Sequence, residues 1–232
     1  MATVRSSTAA AGIAVSAALV IIALSILPFL TPAWMSVGQG FAQATAWTGY
    51  TDAQLRYVTD AIVHDLVWGP PDFAVALPGQ AAPVLNPNER AHMRDVRGVF
   101  AGFYAVALAA AAVLAAAFLL SRRRAQRASL WRRLSSAGTV IAVVTVVGGG
   151  VGMLVFDQAF TLFHEIFFPG GNWAFDPRVD KLVQIFPDQF WSDTTIGVGV
   201  VVVALALGLR WLGRRRAAAL EPGSGHPEEA SA

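Results

Sequence analysis

"VFAGFYAVALAAAAVLAAAFLL", residues Val99–Leu120, runs for 22 residues without a charged side chain. A helix of about 20 apolar residues crosses the hydrocarbon core of a bilayer, because that core is about 30 Å thick. The whole chain shares this bias, since 55% of its 232 residues are hydrophobic and 14% are charged, and its mean hydropathy is +0.54. Further apolar segments of spanning length lie at residues 10–30, 137–156 and 194–212.

The four apolar segments predict an all-α membrane protein with four transmembrane helices. We expect residues 1–216 to form a single integral membrane domain and residues 217–232 to form a disordered cytoplasmic tail, because the tail is polar and rich in Glu, Gly and Pro. The basic start "MATVR" also fits a signal peptide, but the apolar run after it is too long and no clear A-x-A cleavage site follows. We therefore expect an uncleaved first helix.

The distribution of arginine predicts the orientation of the spans in a plasma membrane. Loops on the cytoplasmic side are enriched in Lys and Arg. The loop 121–136 holds six arginines, and Arg210 and Arg214–Arg216 lie at the end of the fourth span. Both termini are therefore expected in the cytoplasm, and segments 31–98 and 157–193 outside. Because the basic residues flank apolar spans, they indicate membrane topology and not nucleic-acid binding.

The outer segments predict an extracytoplasmic cap of short amphipathic helices. Thr51–Trp68 has apolar residues at helical spacing, with Thr51 as an N-cap and Gly69-Pro70 as a stop. Residues 177–186 predict a second short helix after the turn "PGGN" at 169–172.

The third span contains "GGG" at 148–150 and a further glycine at 152. Small residues let the backbones of neighbouring helices approach closely. We expect these glycines to lie at a helix–helix contact.

Two of the four histidines are expected at the same depth, just outside the membrane. His92 lies seven residues before the second span and His164 lies eight residues after the third. If both approaches are helical, each imidazole lies about 10–12 Å from its span boundary on the same side. His64 is expected on a solvated helix face, and His226 lies in the tail.

Acidic and basic neighbours can support a catalytic role for these two histidines. Asp95 shares a helical face with His92, Arg94 is nearby, and Glu165 follows His164 directly. A carboxylate that holds Nδ1–H of an imidazole leaves Nε2 free as a general base. The alternative is a purely structural role, since histidines at a membrane interface often pair with acids.

The sequence lacks the motifs of several other chemistries. There is no cysteine, and no G-x-S-x-G, H-E-x-x-H or phosphate-binding glycine motif is present. Metal-free acid–base chemistry at the outer leaflet remains, and acyl transfer between lipid-embedded groups fits it. Two alternatives stay open: a non-enzymatic membrane accessory protein, and a metal-dependent lipid hydrolase that uses both histidines and an acid.

Several short motifs resemble a known family. "AHMRDV" at 91–96 and "FHEIFFPGGNWAFDPRVDKLVQIFPDQFW" at 163–191, with four spans around them, resemble the bacterial integral membrane family that contains the lipoprotein intramolecular transacylase. The resemblance implies transfer of the sn-2 acyl chain of a diacylglyceryl-cysteine to the α-amine of that cysteine, which gives a lyso-form lipoprotein.

The resemblance also implies the two histidines that carry the reaction, a lipoprotein substrate and no cofactor, and the other site residues are our own assignments. His164 would be the general base and His92 would stabilise the tetrahedral intermediate. Asp95, Glu165 and Arg94 would support them. We assign Trp173, Phe175 and Asp176 to substrate binding. No cofactor and no metal are expected. The expected partners are diacylglyceryl-modified lipoproteins and membrane lipids, not nucleic acid, and the chain is expected to be a monomer.

Overall fold

The structure is a computed structural model that describes residues 2–221, with side chains from residue 8 onward. Within this range every regular element is helical and no strand is present, which confirms the predicted all-α class. Four helices are long and apolar enough to cross a membrane. They are α1 (Ala2–Ile26, continued by a 3₁₀ turn at Leu27–Leu30), α5 (Pro87–Leu120), α6 (Arg124–Leu154) and α9 (Asp188–Leu220).

The long helices extend beyond the predicted apolar spans. α5 has 34 residues and is therefore about 51 Å long, whereas the hydrocarbon core is about 30 Å thick. Its apolar part is the predicted span at 99–120, and its first turns continue past that span. The third predicted span is slightly too long, because α6 ends at Leu154 and a new helix begins at Phe156.

The bundle is held together by a close contact between α6 and α9, which pack along much of their length, and α1 packs against α5, α6 and α9. A Cβ at Gly213 would lie 2.8 Å from the carbonyl oxygen of Trp131, and a Cβ at Gly138 would overlap the carbonyl oxygen of Ala206. The Ser135 hydroxyl donates to the carbonyl of Arg210 at 3.1 Å. Small residues thus bring the two backbones together.

The glycines at 148–150 and 152 do not make this contact, so the prediction of close packing there is wrong. A Cβ at any of them would meet no non-local heavy atom within 4 Å in the part of the chain that the structure describes. Glycine permits close approach only when its face points at a neighbouring helix, and these four lie where α6 has an open side.

Short helices form a cap at the end where α1 finishes and α5 begins. The cap consists of α2 (Pro32–Phe41), α3 (Ala44–Thr48), α4 (Asp52–Val67), α8 (Lys181–Ile185) and their connecting loops. α4 confirms the predicted helix, with Thr51 and Gln54 forming a capping box. Its face at Val58 and Ile62 is buried in the core of the cap, together with Phe73 and Ile185.

The buried carboxylate of Glu89 ties the cap to α5. Glu89 is 1% exposed and accepts hydrogen bonds from the backbone N–H groups of Asn86 and Leu182, both at 2.6 Å. The Asn86 side chain donates to Asp180 at 2.9 Å. The start of α5 and the start of α8 are therefore joined across 93 residues of sequence.

The predicted tail begins too early at residue 217, because α9 continues to Leu220. The sequence "AAAL" at 217–220 has high helix propensity and prolongs the last turn. After Glu221, the remainder of the predicted tail, including His226, lies outside the described residues.

Candidate active site

His92 lies in the second turn of α5, directly below the cap. α5 begins there because Asn86 caps it, Pro87 occupies the first turn and Glu89 completes a capping box. The imidazole of His92 is 6% exposed. Its ring lies against Phe168 and Phe175, with centroid distances of 4.8 and 5.5 Å.

His164 reaches the same place from the other side of the chain. The break at Val155 starts a new amphipathic helix, α7 (Phe156–Phe167), and His164 is its one buried residue. The Nδ1 atom of His164 lies 2.8 Å from the carbonyl oxygen of Phe160. A carbonyl only accepts, so Nδ1 carries the proton and Nε2 of the neutral ring is a free acceptor.

The two imidazoles stack on each other. Their centroids are 5.9 Å apart and their planes differ by 28°, and His164 is 9% exposed. The Trp173 ring lies 5.1 Å from His164. The sequence argument that topology would bring two distant imidazoles to one depth is thus matched by direct ring contact.

Burial lowers the pKa of His164, and the hydrogen bond to the Phe160 carbonyl only partly offsets this effect. An imidazole ordinarily titrates near pH 6.5, so His164 is neutral at physiological pH. Two stacked rings also disfavour double protonation, since like charges at this distance repel. At any time, therefore, at most one of the two rings carries the additional proton that makes an imidazole positively charged.

The charged residues that were predicted to support the histidines or to bind substrate separate into three groups. Asp95 points at Asn172, whose side-chain nitrogen donates to Oδ2 of Asp95 at 2.7 Å. Asp176 forms an ion pair with Arg178 at 2.6 Å, and Arg178 lowers the pKa of Asp176 by its hydrogen bonds. The structure does not bring Arg94 and Glu165 to the histidines, because both side chains are exposed and neither bonds to a described residue near the pair.

The sequence argument missed Phe160 and Asn172. Phe160 lies four residues before His164, so helical spacing alone could have identified its carbonyl as the partner of the ring. Asn172 lies in the loop after α7, 77 residues from Asp95, and no local pattern indicates that contact.

The surroundings of the pair are largely aromatic, and both rings are buried. Two cavities, of about 480 and 440 Å³, lie elsewhere, one between α2 and α9 and the other at the arginine-rich end. The described residues also contain no group of three or more His, Asp or Glu side chains placed to hold a metal ion. His64 lies on the exposed side of α4 beside Asp65, as expected.

Comparison with solved structures shows the same fold in a bacterial enzyme. The membrane-integral lipoprotein intramolecular transacylase Lit from Bacillus cereus superposes with a TM-score of 0.74 at 17% identity, over 90% of this chain and 94% of that chain. Two variants of that protein, with one histidine replaced by arginine or alanine, each give a TM-score of 0.71 at 19% identity. The superposed regions cover 90% of this chain in both comparisons, 91% of the arginine variant and 92% of the alanine variant.

Sequence comparison leads to the family. No curated protein matches the chain significantly. The family model described as lipoprotein intramolecular transacylase Lit matches residues 11–191, which include three of the four long helices, the cap and both buried histidines. The chain therefore belongs to the Lit family and is a membrane transacylase.

Proposed function

We propose that this enzyme moves the sn-2 acyl chain of a diacylglyceryl-cysteine lipoprotein onto the α-amine of the same cysteine, at the stacked pair His92–His164. The observation that carries the proposal is the contact of two buried imidazoles, 5.9 Å apart, at the cap end of the bundle. His164 has a free Nε2 that can accept a proton, and general base catalysis needs such an acceptor next to the substrate group that loses its proton.

The proposed reaction balances within the substrate. The amine nitrogen attacks the sn-2 ester carbonyl carbon and gives up a proton to Nε2 of His164. An N–H of His92 donates to the oxyanion of the tetrahedral intermediate. The bond from the carbonyl carbon to the sn-2 oxygen then breaks, and that oxygen takes the proton held on Nε2 of His164, which returns the ring to its neutral form. The products are an amide and a free glyceryl hydroxyl, with no change in total mass.

The reacting amine and ester are held near each other by the covalent structure of the substrate. Amine and ester belong to one molecule, so the site has only to hold them in a reactive geometry. Trp173 and Phe175, which line the pair, are proposed to hold the glyceryl group or the start of the acyl chain. The exposed aromatic side chains of α7, such as Phe163 at 46% exposure, are proposed to contact membrane lipid.

We propose that the cap lies on the extracytoplasmic side and that the enzyme works as a monomer. The arginines at 122–124, 127, 132 and 133 and at 214–216 lie at the opposite end of the bundle, and such clusters favour the cytoplasm. Both imidazoles come from one chain, so catalysis needs no second copy.

The orientation can be tested by cysteine labelling, because the chain has no cysteine of its own. An impermeant maleimide should label Asp52→Cys in intact cells and Arg123→Cys only after lysis. The reverse pattern would refute the proposed side of the active site.

The reaction can be tested in cells that make diacylglyceryl lipoproteins. Fragmentation of the N-terminal lipopeptide in a mass spectrometer should locate one acyl chain on nitrogen when the protein is expressed. His164→Ala and His92→Ala should each abolish that product. The matched control, His64→Ala on the exposed side of α4, should retain it. Full activity in both His164→Ala and His92→Ala would refute the proposed site.

A further inference from the structure

Two buried polar atoms beside the histidine pair have no hydrogen-bond partner. Nδ1 of His92 and Oδ1 of Asn172 are both buried, and neither bonds to any described residue. Asn172 is held from its other end, because its Nδ2 donates to Oδ2 of Asp95 at 2.7 Å. Buried polar groups are almost always paired, so two unpaired atoms in one small site call for an explanation.

The chemistry of the two atoms is complementary. The Asp95 carboxylate accepts from the amide nitrogen and thereby fixes which end of the Asn172 side chain is the oxygen. That oxygen can only accept, whereas Nδ1 of an imidazole can donate. The Asn172 side chain also interacts with the His92 ring, although the two groups are not in hydrogen-bond geometry.

We propose that Asn172 is a positioning residue that links the Asp95 carboxylate to His92. The link holds the hydrogen of the neutral His92 ring on Nδ1, so that Nε2 can take the first proton of the substrate ammonium group and then donate it to the oxyanion. This inference rests on the proposed function only for its effect on the rate, because the tautomer of His92 is a property of the protein alone.

The link makes the two histidines unequal. The groups that face His92 are His164 from α7, Asp95 on α5, Asn172 from the loop after α7, and the uncharged rings of Phe168 and Phe175. Asp95 and Asn172 both favour a proton on His92, whereas the nearest partner of His164 is a backbone carbonyl. Burial and the neighbouring His164 disfavour a proton on His92 more strongly than Asp95 and Asn172 favour one. Both rings are therefore neutral before the reaction, and the link fixes which nitrogen of His92 carries the hydrogen.

The tautomer can be read directly by NMR. In full-length protein labelled with ¹⁵N-histidine, Nδ1 of His92 should show the shift of a protonated ring nitrogen. Asn172→Ala should produce a mixture of tautomers at His92 while the signals of His164 stay unchanged. The matched control, Asn88→Ala, removes an exposed asparagine from the start of α5 and should change neither ring. An unchanged His92 signal in Asn172→Ala would overturn the proposal.

Exchanging the Asp95 and Asn172 side chains distinguishes a role in positioning His92 from a purely structural role. Asp95→Asn should lower the transfer rate up to about a hundredfold, the effect of a displaced catalytic group. The double variant Asp95→Asn with Asn172→Asp should recover most of the rate and move the acidic limb of the pH profile upward, since the carboxylate then contacts His92 directly. A purely structural link would leave the pH profile in place. Asp60→Asn, an exposed aspartate on α4, is the control for the loss of one charge.

The outcomes remain distinct from those of the proposed function. If the wild-type protein makes no N-acyl product, the proposed reaction fails while the NMR measurement still decides the role of Asn172. If Asn172→Ala does not fold, the double variant decides it. A double variant with neither recovered rate nor a shifted pH profile would overturn the link between Asp95 and His92.

Discussion

Replacing Glu89 by alanine should loosen the cap where it joins α5. Glu89 is buried and accepts two short hydrogen bonds from the backbone N–H groups of Asn86 and Leu182. Leaving a buried donor unpaired costs about 1–3 kcal/mol, so the loss of both bonds should cost about 2–6 kcal/mol. Glu89→Gln keeps one acceptor oxygen but presents an N–H group to the other donor, and should cost about half as much.

Hydrogen exchange measures this change locally. The amide of Leu182 should lose protection by at least about 30-fold in Glu89→Ala, because every 1.4 kcal/mol is tenfold. Glu165→Gln is the matched control, since Glu165 is an exposed glutamate on α7 and its loss should leave Leu182 protected. If exchange at Leu182 changed by less than threefold in Glu89→Ala, the idea that this carboxylate fastens α8 to α5 would be wrong.

Three further predictions concern the histidine pair, the helix contact and the surface. Because burial lowers the pKa of His164, its ring should titrate with a midpoint below pH 6.5 by NMR, and a midpoint above that value would contradict the burial argument. Gly213→Ala places a Cβ 2.8 Å from the Trp131 carbonyl oxygen and should destabilise the protein by about 1–3 kcal/mol in thermal unfolding. Gly149→Ala, whose Cβ meets open space, should leave the stability unchanged. Equal effects of the two substitutions would show that the glycine contact is unimportant. Arg132→Ala removes an ion pair whose side chains are both 55% exposed and should change the unfolding free energy by less than about 1 kcal/mol.

Features that depend on local pattern could be predicted from the sequence. The four spans follow from the length of apolar runs, and α4 follows from helical spacing with Thr51 as its cap. The depth of His92 and His164 follows from counting residues to the nearest span, because a helix fixes the rise per residue.

Features that depend on how helices face each other could not be predicted. The glycines at 148–150 are small residues of the kind found where helices pack closely, but they lie on an open side of α6. The isolated Gly138 and Gly213 lie where α6 and α9 pack together. Glu165 follows His164 in sequence yet points outward, because successive residues of a helix diverge by about 100°. Asn172 meets Asp95 across 77 residues, and only the folded cap creates that contact.

The junction at Glu89 has a consequence for biosynthesis. One of its two donors, Leu182, emerges from the ribosome 93 residues after the acceptor, and the loop that carries Trp173 and Phe175 emerges only shortly before Leu182. A nascent chain that ends after α7 holds both imidazoles but lacks the loop with Trp173 and Phe175, which contact them. Newly made, incomplete copies should therefore be inert toward surrounding lipids until this loop and Leu182 have been made.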